Sequence, residues 1–83
     1  PPQESNETDD TIHLKELELL VTMVVEKMPP QRQKIYKMSR ESGINNEEIA
    51  RELSINKRTV ENHLSQALTD IRKALFITFI LFF

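Results

Sequence analysis

Two Ile-Asn pairs eleven residues apart, Ile44-Asn45 and Ile55-Asn56, each open a helical stretch by the same device. The asparagine stands at the cap position, where its side-chain oxygen accepts from a first-turn N–H. The isoleucine before it staples onto an apolar residue four places past the cap. Those apolar residues are Ile49 and Val60, and Glu48 holds the capping-box position of the first stretch. Between the two starts there is room for a helix of about two turns, and then only Ser54, Ile55 and Asn56 intervene between Leu53 and Lys57. A short helix joined by so tight a turn to a longer one has helix-turn-helix spacing. Ile49 and Leu53 face inward on the first helix, and Val60, Leu64, Ala67, Leu68 and Ile71 form the inward stripe of the second.

The two starts differ in charge. Glu47 and Glu48 fill the first turn of the shorter helix, as its dipole favours, whereas Lys57 and Arg58 fill the first turn of the longer one. Cations there are unfavourable by roughly 0.3 to 1 kcal/mol each. A helix N-terminus is also where an anion, most often a phosphate, binds readily. The contrast between two helices built alike is a hint of function, because folding does not require it.

Composition narrows the alternatives. A chain of 83 residues has room for one small domain with a modest core. One glycine and four prolines are too few turn residues for a sandwich or barrel. The absence of cysteine excludes disulfides and thiolate metal sites and leaves the redox compartment open. His13 and His63 form no recognisable metal motif, and no Ser/His/Asp spacing or glycine-rich phosphate loop is present, so neither enzyme, metal nor cofactor is expected. The formal net charge of −2 conceals a division: residues 1–29 carry −5 and residues 30–83 carry +3. The basic part contains the helix-turn-helix. Its charge is weak for a free-standing nucleic-acid binder, which implies low intrinsic affinity and help from a larger assembly. With no initiator Met and no basic n-region, the chain reads as a fragment without a visible signal peptide.

Residues 1–10, PPQESNETDD, lack any apolar residue and are expected to be a disordered leader or linker, with structure beginning near Asp10 or Thr11. From Leu14 the positions 14, 17, 21, 24, 25 and 28 follow helical spacing until Pro29-Pro30 closes the run. Ile12, Leu19, Leu20 and Met23 widen that face, leaving open either a broad core face or cover by a partner or the chain's own tail. A second helix is expected from Pro30 to about Ser42, with Ile35 and Met38 inward, Tyr36 beside them and Gly43 as the stop.

Stepping about 100° per residue from Val60 puts the inward stripe of the longer helix near 30°. Opposite it lie Arg58, Asn62, Ser65, Gln66 and Thr69, with Thr59 and Glu61 at the edges. Forked hydrogen-bonding side chains of this kind can read base edges in a major groove: Arg suits guanine, Asn or Gln adenine, and Glu accepts from cytosine. Lys57 points toward the helix start and His63 lies on the flank, where a phosphate contact and a partly buried structural role are both open. An ordinary solvated helix face is the plain alternative.

The stretch MPPQRQKIYKMSRESGINNEEIARELSINKRTVENHLSQALTDIRKAL resembles region 4 of bacterial sigma factors, particularly the extracytoplasmic-function group. The likeness rests on PPQRQKIYKM, NNEEIARELSI, TVENHLSQAL and LTDIRKAL taken together and covers residues 28–75. It implies a small all-α, four-helix domain with a helix-turn-helix, a winged-helix-like DNA-binding scaffold without the wing, over residues 11–75. It implies a cytoplasmic role in transcription initiation, with promoter double-stranded DNA (the minus-35 element), the flap of the RNA polymerase β subunit and an anti-sigma factor as partners. Carried onto this chain, the recognition face becomes Arg58, Thr59, Glu61, Asn62, Ser65 and Gln66, flanked by Lys57 and His63 as phosphate contacts. Ser54 departs from the glycine common in the family's turn, which implies strain if that backbone needs positive φ. Nothing corresponds to the family's promoter-opening region 2. The LuxR-type response-regulator DNA-binding domain, which shares EIA..L.I...TV..HL, is the nearest competitor, and a helical interaction module without DNA is another. The PPQRQ start and ALTDIRKAL end favour sigma.

All four phenylalanines fall in the closing ALFITFILFF. Ten residues are half of the roughly 20 that cross a bilayer, so no membrane span is expected. As a helix, residues 76–83 would place Phe76, Phe79, Ile80 and Phe83 on one face, and folding back onto the first helix is the favoured reading, ahead of self-association or a partner contact.

Overall fold

The computed structural model describes residues 2–82, and their side chains over residues 14–81. Four helices follow one another: α1 (Pro2–Glu26), α2 (Pro30–Arg40), α3 (Asn46–Leu53) and α4 (Lys57–Phe82), and no strand occurs among the described residues. The all-α, four-helix expectation is met. The body is elongated, 54 × 24 × 16 Å.

α1 starts earlier than its composition suggested. The expectation of an unstructured 1–10 segment does not match the backbone, which is helical from Pro2. No Pro or Gly occurs between Gln3 and Met28 to interrupt the helix. A polar sequence without a breaker thus continues the helix that the apolar residues begin. The last turn of α1 tightens as Lys27 and Met28 donate backbone N–H groups to Val24 and Val25. Pro29 and Pro30 then prevent continuation and start α2, Pro30 entering at a position whose N–H has no intrahelical partner. α2 ends at Arg40, two residues before the expected Ser42; Gly43 takes φ 67, the left-handed conformation that stops the chain from continuing as helix.

Both asparagine caps form. Asn45 Oδ1 accepts from the Glu48 N–H at 2.9 Å, and Asn56 Oδ1 from the Thr59 N–H at 2.7 Å. Between them Ser54 adopts φ 57, ψ 43, and it is the one non-glycine residue with positive φ among those described. The conformation that the sequence made suspect at this position is the one it holds. A left-handed turn here lets α3 stop and α4 start within three residues. Its cost for an L-residue is about 1–2 kcal/mol.

Two apolar clusters hold the helices together, and α4 runs through both. Ile35, Ile49, Ala50 and Val60 form one, joined by half-buried Met38, Ile44, Leu53, Ile55 and Leu64; Ile35, Ile49 and Val60 are fully buried. Ile44 and Ile55 thus join the cluster of Ile49 and Val60, their expected staple partners. The second cluster is Val25, Met28, Ala67 and Ile71, with Val21, Val24, Tyr36 and Leu75 against it. Burying an Ile or Val side chain contributes about 1.5–3 kcal/mol, so the three fully buried residues fix the α2–α3–α4 unit.

Beyond the second cluster the packing opens. Leu14 and Leu17 belong to the same stripe as Val21 and Val25, yet remain exposed, and with Val21 and Leu75 they line an apolar groove. Leu19 and Met23 are exposed as well. The tail does not fold back: it continues α4 as helix, and Phe76, Ile77, Phe79, Ile80 and Leu81 are exposed. No Gly or Pro separates Lys57 from Phe82, so the chain has no residue at which to reverse direction. Ile12 and Phe83, which the sequence placed on these faces, lie outside the residues whose side chains are described.

Candidate nucleic-acid interface

The buried stripe of α4 fixes which residues point outward. With Val60, Ala67 and Ile71 inward, Arg58, Glu61, Asn62, Ser65 and Gln66 are all exposed within the first three turns. Arg58, Glu61, Asn62 and Ser65 have no side-chain hydrogen bond or ion pair among the described residues. A row of hydrogen-bonding groups with no internal partner is chemically available to an external one.

The remaining candidates are partly engaged. The Thr59 hydroxyl donates to Asn56 Oδ1 at 2.9 Å, so the same oxygen that caps the helix also holds the Thr59 side chain, which is half-buried. His63 is half-buried, and its Nδ1 is enclosed without a hydrogen-bond partner, so any outward contact falls to Nε2. Lys57 reaches back across the turn, its Nζ 3.6 Å from Oε1 of Glu47 in the first turn of α3. Part of the answer to the cations at the start of α4 is therefore internal. Arg58 has no such counter-charge among the described residues.

Three residues with a bearing on this face escaped the sequence reading. Arg32 of α2 donates from Nη1 to Asp70 Oδ2 at 2.8 Å and from Nη2 to Gln66 Oε1 at 2.7 Å. It is half-buried, and its Nε is enclosed without a partner. Glu47 was read only as a first-turn acid of the shorter helix, and Arg32 and Asp70 only as parts of the motifs PPQRQKIYKM and LTDIRKAL. The available signal was that Arg32 lies one turn before the fully buried Ile35, on the packed side of α2. Its bond to Gln66 ties that expected reader to the helix behind it. Of the eight sequence candidates, Arg58, Glu61, Asn62 and Ser65 form a free exposed row, Gln66 joins the row under the control of Arg32, and Lys57, Thr59 and His63 border it with internal commitments.

No group of acids and histidines suited to a metal ion occurs among the described residues. No described helix is long and apolar enough to cross a membrane.

Comparison with curated proteins and with solved structures gave no match. The family model for sigma-70, region 4, matches residues 18–71, which is 54 of the 83 residues and takes in the end of α1, all of α2 and α3, and the first half of α4. The match spans the buried residues of both apolar clusters and the whole helix-turn-helix, and it decides between the sigma and LuxR-type resemblances. The chain belongs to the sigma-70 region 4 family, non-enzymatic DNA-binding domains that act in transcription initiation.

Proposed function

We propose that this chain is the promoter-recognition domain of an extracytoplasmic-function sigma factor, reading the minus-35 element with the N-terminal half of α4 while docked on the flap of the RNA polymerase β subunit. The observation that carries the reading is the exposed row Arg58, Glu61, Asn62 and Ser65, without side-chain partners among the described residues and opposite the buried stripe of the same helix. An α-helix fits the major groove, and such side chains discriminate base pairs there. Lys57 and His63 flank the row as phosphate contacts, Lys57 by exchanging its exposed pairing with Glu47 for a phosphate. Thr59 borders the row through the hydroxyl oxygen, whose proton is given to Asn56.

The small positive charge of residues 30–83 supports a division of labour in which polymerase supplies much of the affinity and α4 the sequence preference. Such a domain works where promoter and polymerase are, in the cytoplasm. The exposed apolar residues of α1 and α4 offer area for a protein partner such as an anti-sigma factor.

The test is calorimetric titration or pull-down of the folded chain with the isolated flap of its cognate polymerase β subunit. Saturable one-to-one binding supports the sigma reading. A well-folded chain that ignores both the flap and every duplex offered would be a helical interaction module instead.

A further inference from the structure

Arg32 does more than join α2 to α4: the chemistry of its guanidinium dictates how Gln66 faces the solvent. An arginine side chain has N–H donors and no acceptor. Its partner atom on a carboxamide must therefore be the oxygen, and the 2.7 Å contact from Nη2 is to Oε1. The carboxamide nitrogen is on the other branch of the planar group, and no acceptor holds it among the described residues. The guanidinium is itself anchored, because Nη1 is bound to Asp70 one helical turn further along α4. Asp70 and Gln66 lie four residues apart on α4, and the fork of Arg32 spans both, so the orientation of Gln66 is set by two bonds to a rigid planar group. A free glutamine offers donor and acceptor together, and that pair is what adenine's N7 and N6 amino group require. Gln66 as held here has one of the two lone pairs of its oxygen committed to Arg32 and both N–H groups uncommitted, which weights it toward donating.

We propose that Arg32 is a positioning residue that biases Gln66 toward donating, so that the base facing Gln66 is selected for a keto group, as in guanine or thymine, over an amino group, as in adenine or cytosine. The inference rests on the reading of α4 as the recognition helix. In the major groove guanine presents two adjacent acceptors, O6 and N7, and thymine presents O4, all of which accept from an NH2 group. Adenine keeps N7 as an acceptor but sets an amino group where guanine has O6, and cytosine offers an amino group there, so a donating NH2 finds fewer partners on either. Sequence preference at this position thus originates in a residue of α2 that lies behind the recognition helix.

The experiment is selection of duplexes from a randomised pool at low salt by the immobilised full 83-residue chain, with Arg32→Ala and Gln66→Glu run beside it and thermal melting recorded for each. The expected wild-type pool has one position enriched about tenfold in guanine or thymine over adenine and cytosine. Arg32→Ala frees the carboxamide to rotate, and that enrichment should fall to about twofold or less, with adenine admitted and the other positions unchanged. Gln66→Glu keeps the bond from Arg32, strengthened by charge, and leaves only an acceptor facing outward, so the preference should invert toward cytosine and adenine. This second variant retains the link to α2 and so guards against a trivial loss of fold. Enriched duplexes in which neither variant changes any position would overturn the inference and leave the recognition helix standing. No enrichment at all by a wild-type chain that melts cooperatively, either alone or docked on its cognate core polymerase, would overturn the DNA reading itself, and the inference with it.

Discussion

The ammonium of Lys57 lies 3.6 Å from the carboxylate of Glu47, joining the first turns of α3 and α4 across the helix-turn-helix. Both side chains are more than half exposed, and pairs of this kind contribute about 0–1 kcal/mol to stability. Glu47→Gln should therefore leave the unfolding midpoint nearly unchanged. Its effect belongs to binding: Lys57 is released and a carboxylate is removed from beside the phosphates. Affinity for all duplexes should rise several-fold at low salt, and the slope of log K against log salt should steepen by about one. Fluorescence anisotropy over a salt series measures both. An unchanged slope would show that Lys57 stays away from the backbone.

Arg58 and Asn62 are exposed and without side-chain partners among the described residues, so truncating them should leave the fold intact. Each alanine variant should weaken binding to the preferred duplex by about 1–3 kcal/mol and relax selection at one base pair, while Lys57→Ala should weaken all sequences alike. Competition titrations with preferred and scrambled duplexes separate the two behaviours. Equal losses on scrambled DNA for all three variants would remove the base-reading role.

Ser54 holds φ 57 in a turn where glycine would meet no steric penalty. Ser54→Gly relieves that penalty and adds some unfolded-state entropy, with a net gain of about 0.5–1 kcal/mol. For a domain of this size that amounts to a rise in melting temperature of roughly 2–8 °C. Thermal denaturation followed by circular dichroism reads it. A lower melting temperature would mean that the serine makes compensating interactions in the turn.

Truncation after Leu75 removes the exposed Phe76, Ile77, Ile80 and Leu81 and spares both apolar clusters. Stability in urea should fall by no more than about 1 kcal/mol, since surface residues count for little. Self-association should change, because contiguous exposed apolar area promotes contact between molecules. Sedimentation equilibrium at several concentrations compares the two chains. Identical profiles would show that the apolar end makes no contact between copies in solution.

Local chemistry made much of this fold legible. Asn45, Asn56 and the Ile44 and Ile55 staples act within four residues, so their pattern is present in the sequence as it is in the structure. The left-handed Ser54 was foreseeable for the same reason: three residues between two helices leave few backbone solutions. The inward stripe of α4 followed from periodicity, and the exposed row opposite it came along without further information. Arg32 was not legible, because its partners Gln66 and Asp70 lie 34 and 38 positions away and depend on how α2 crosses α4. The helical start of α1 was missed for a different reason. Polar composition says that a segment has nothing to bury, which is a weaker statement than saying it cannot be helical. The tail was misjudged by assuming that apolar residues find cover within the chain, whereas continuity of α4 carries them past the end of the core.

α4 runs unbroken for 26 residues, about 39 Å at 1.5 Å per residue, with neither Gly nor Pro between its basic beginning and its apolar end. The two ends are therefore one stiff rod. A body that grips the outer turns near Phe76 and Ile80 takes hold of a lever whose other arm carries Arg58 and Asn62. If the proposed reading end enters a groove, a tilt applied at the apolar end reaches it with no joint within α4 to absorb it.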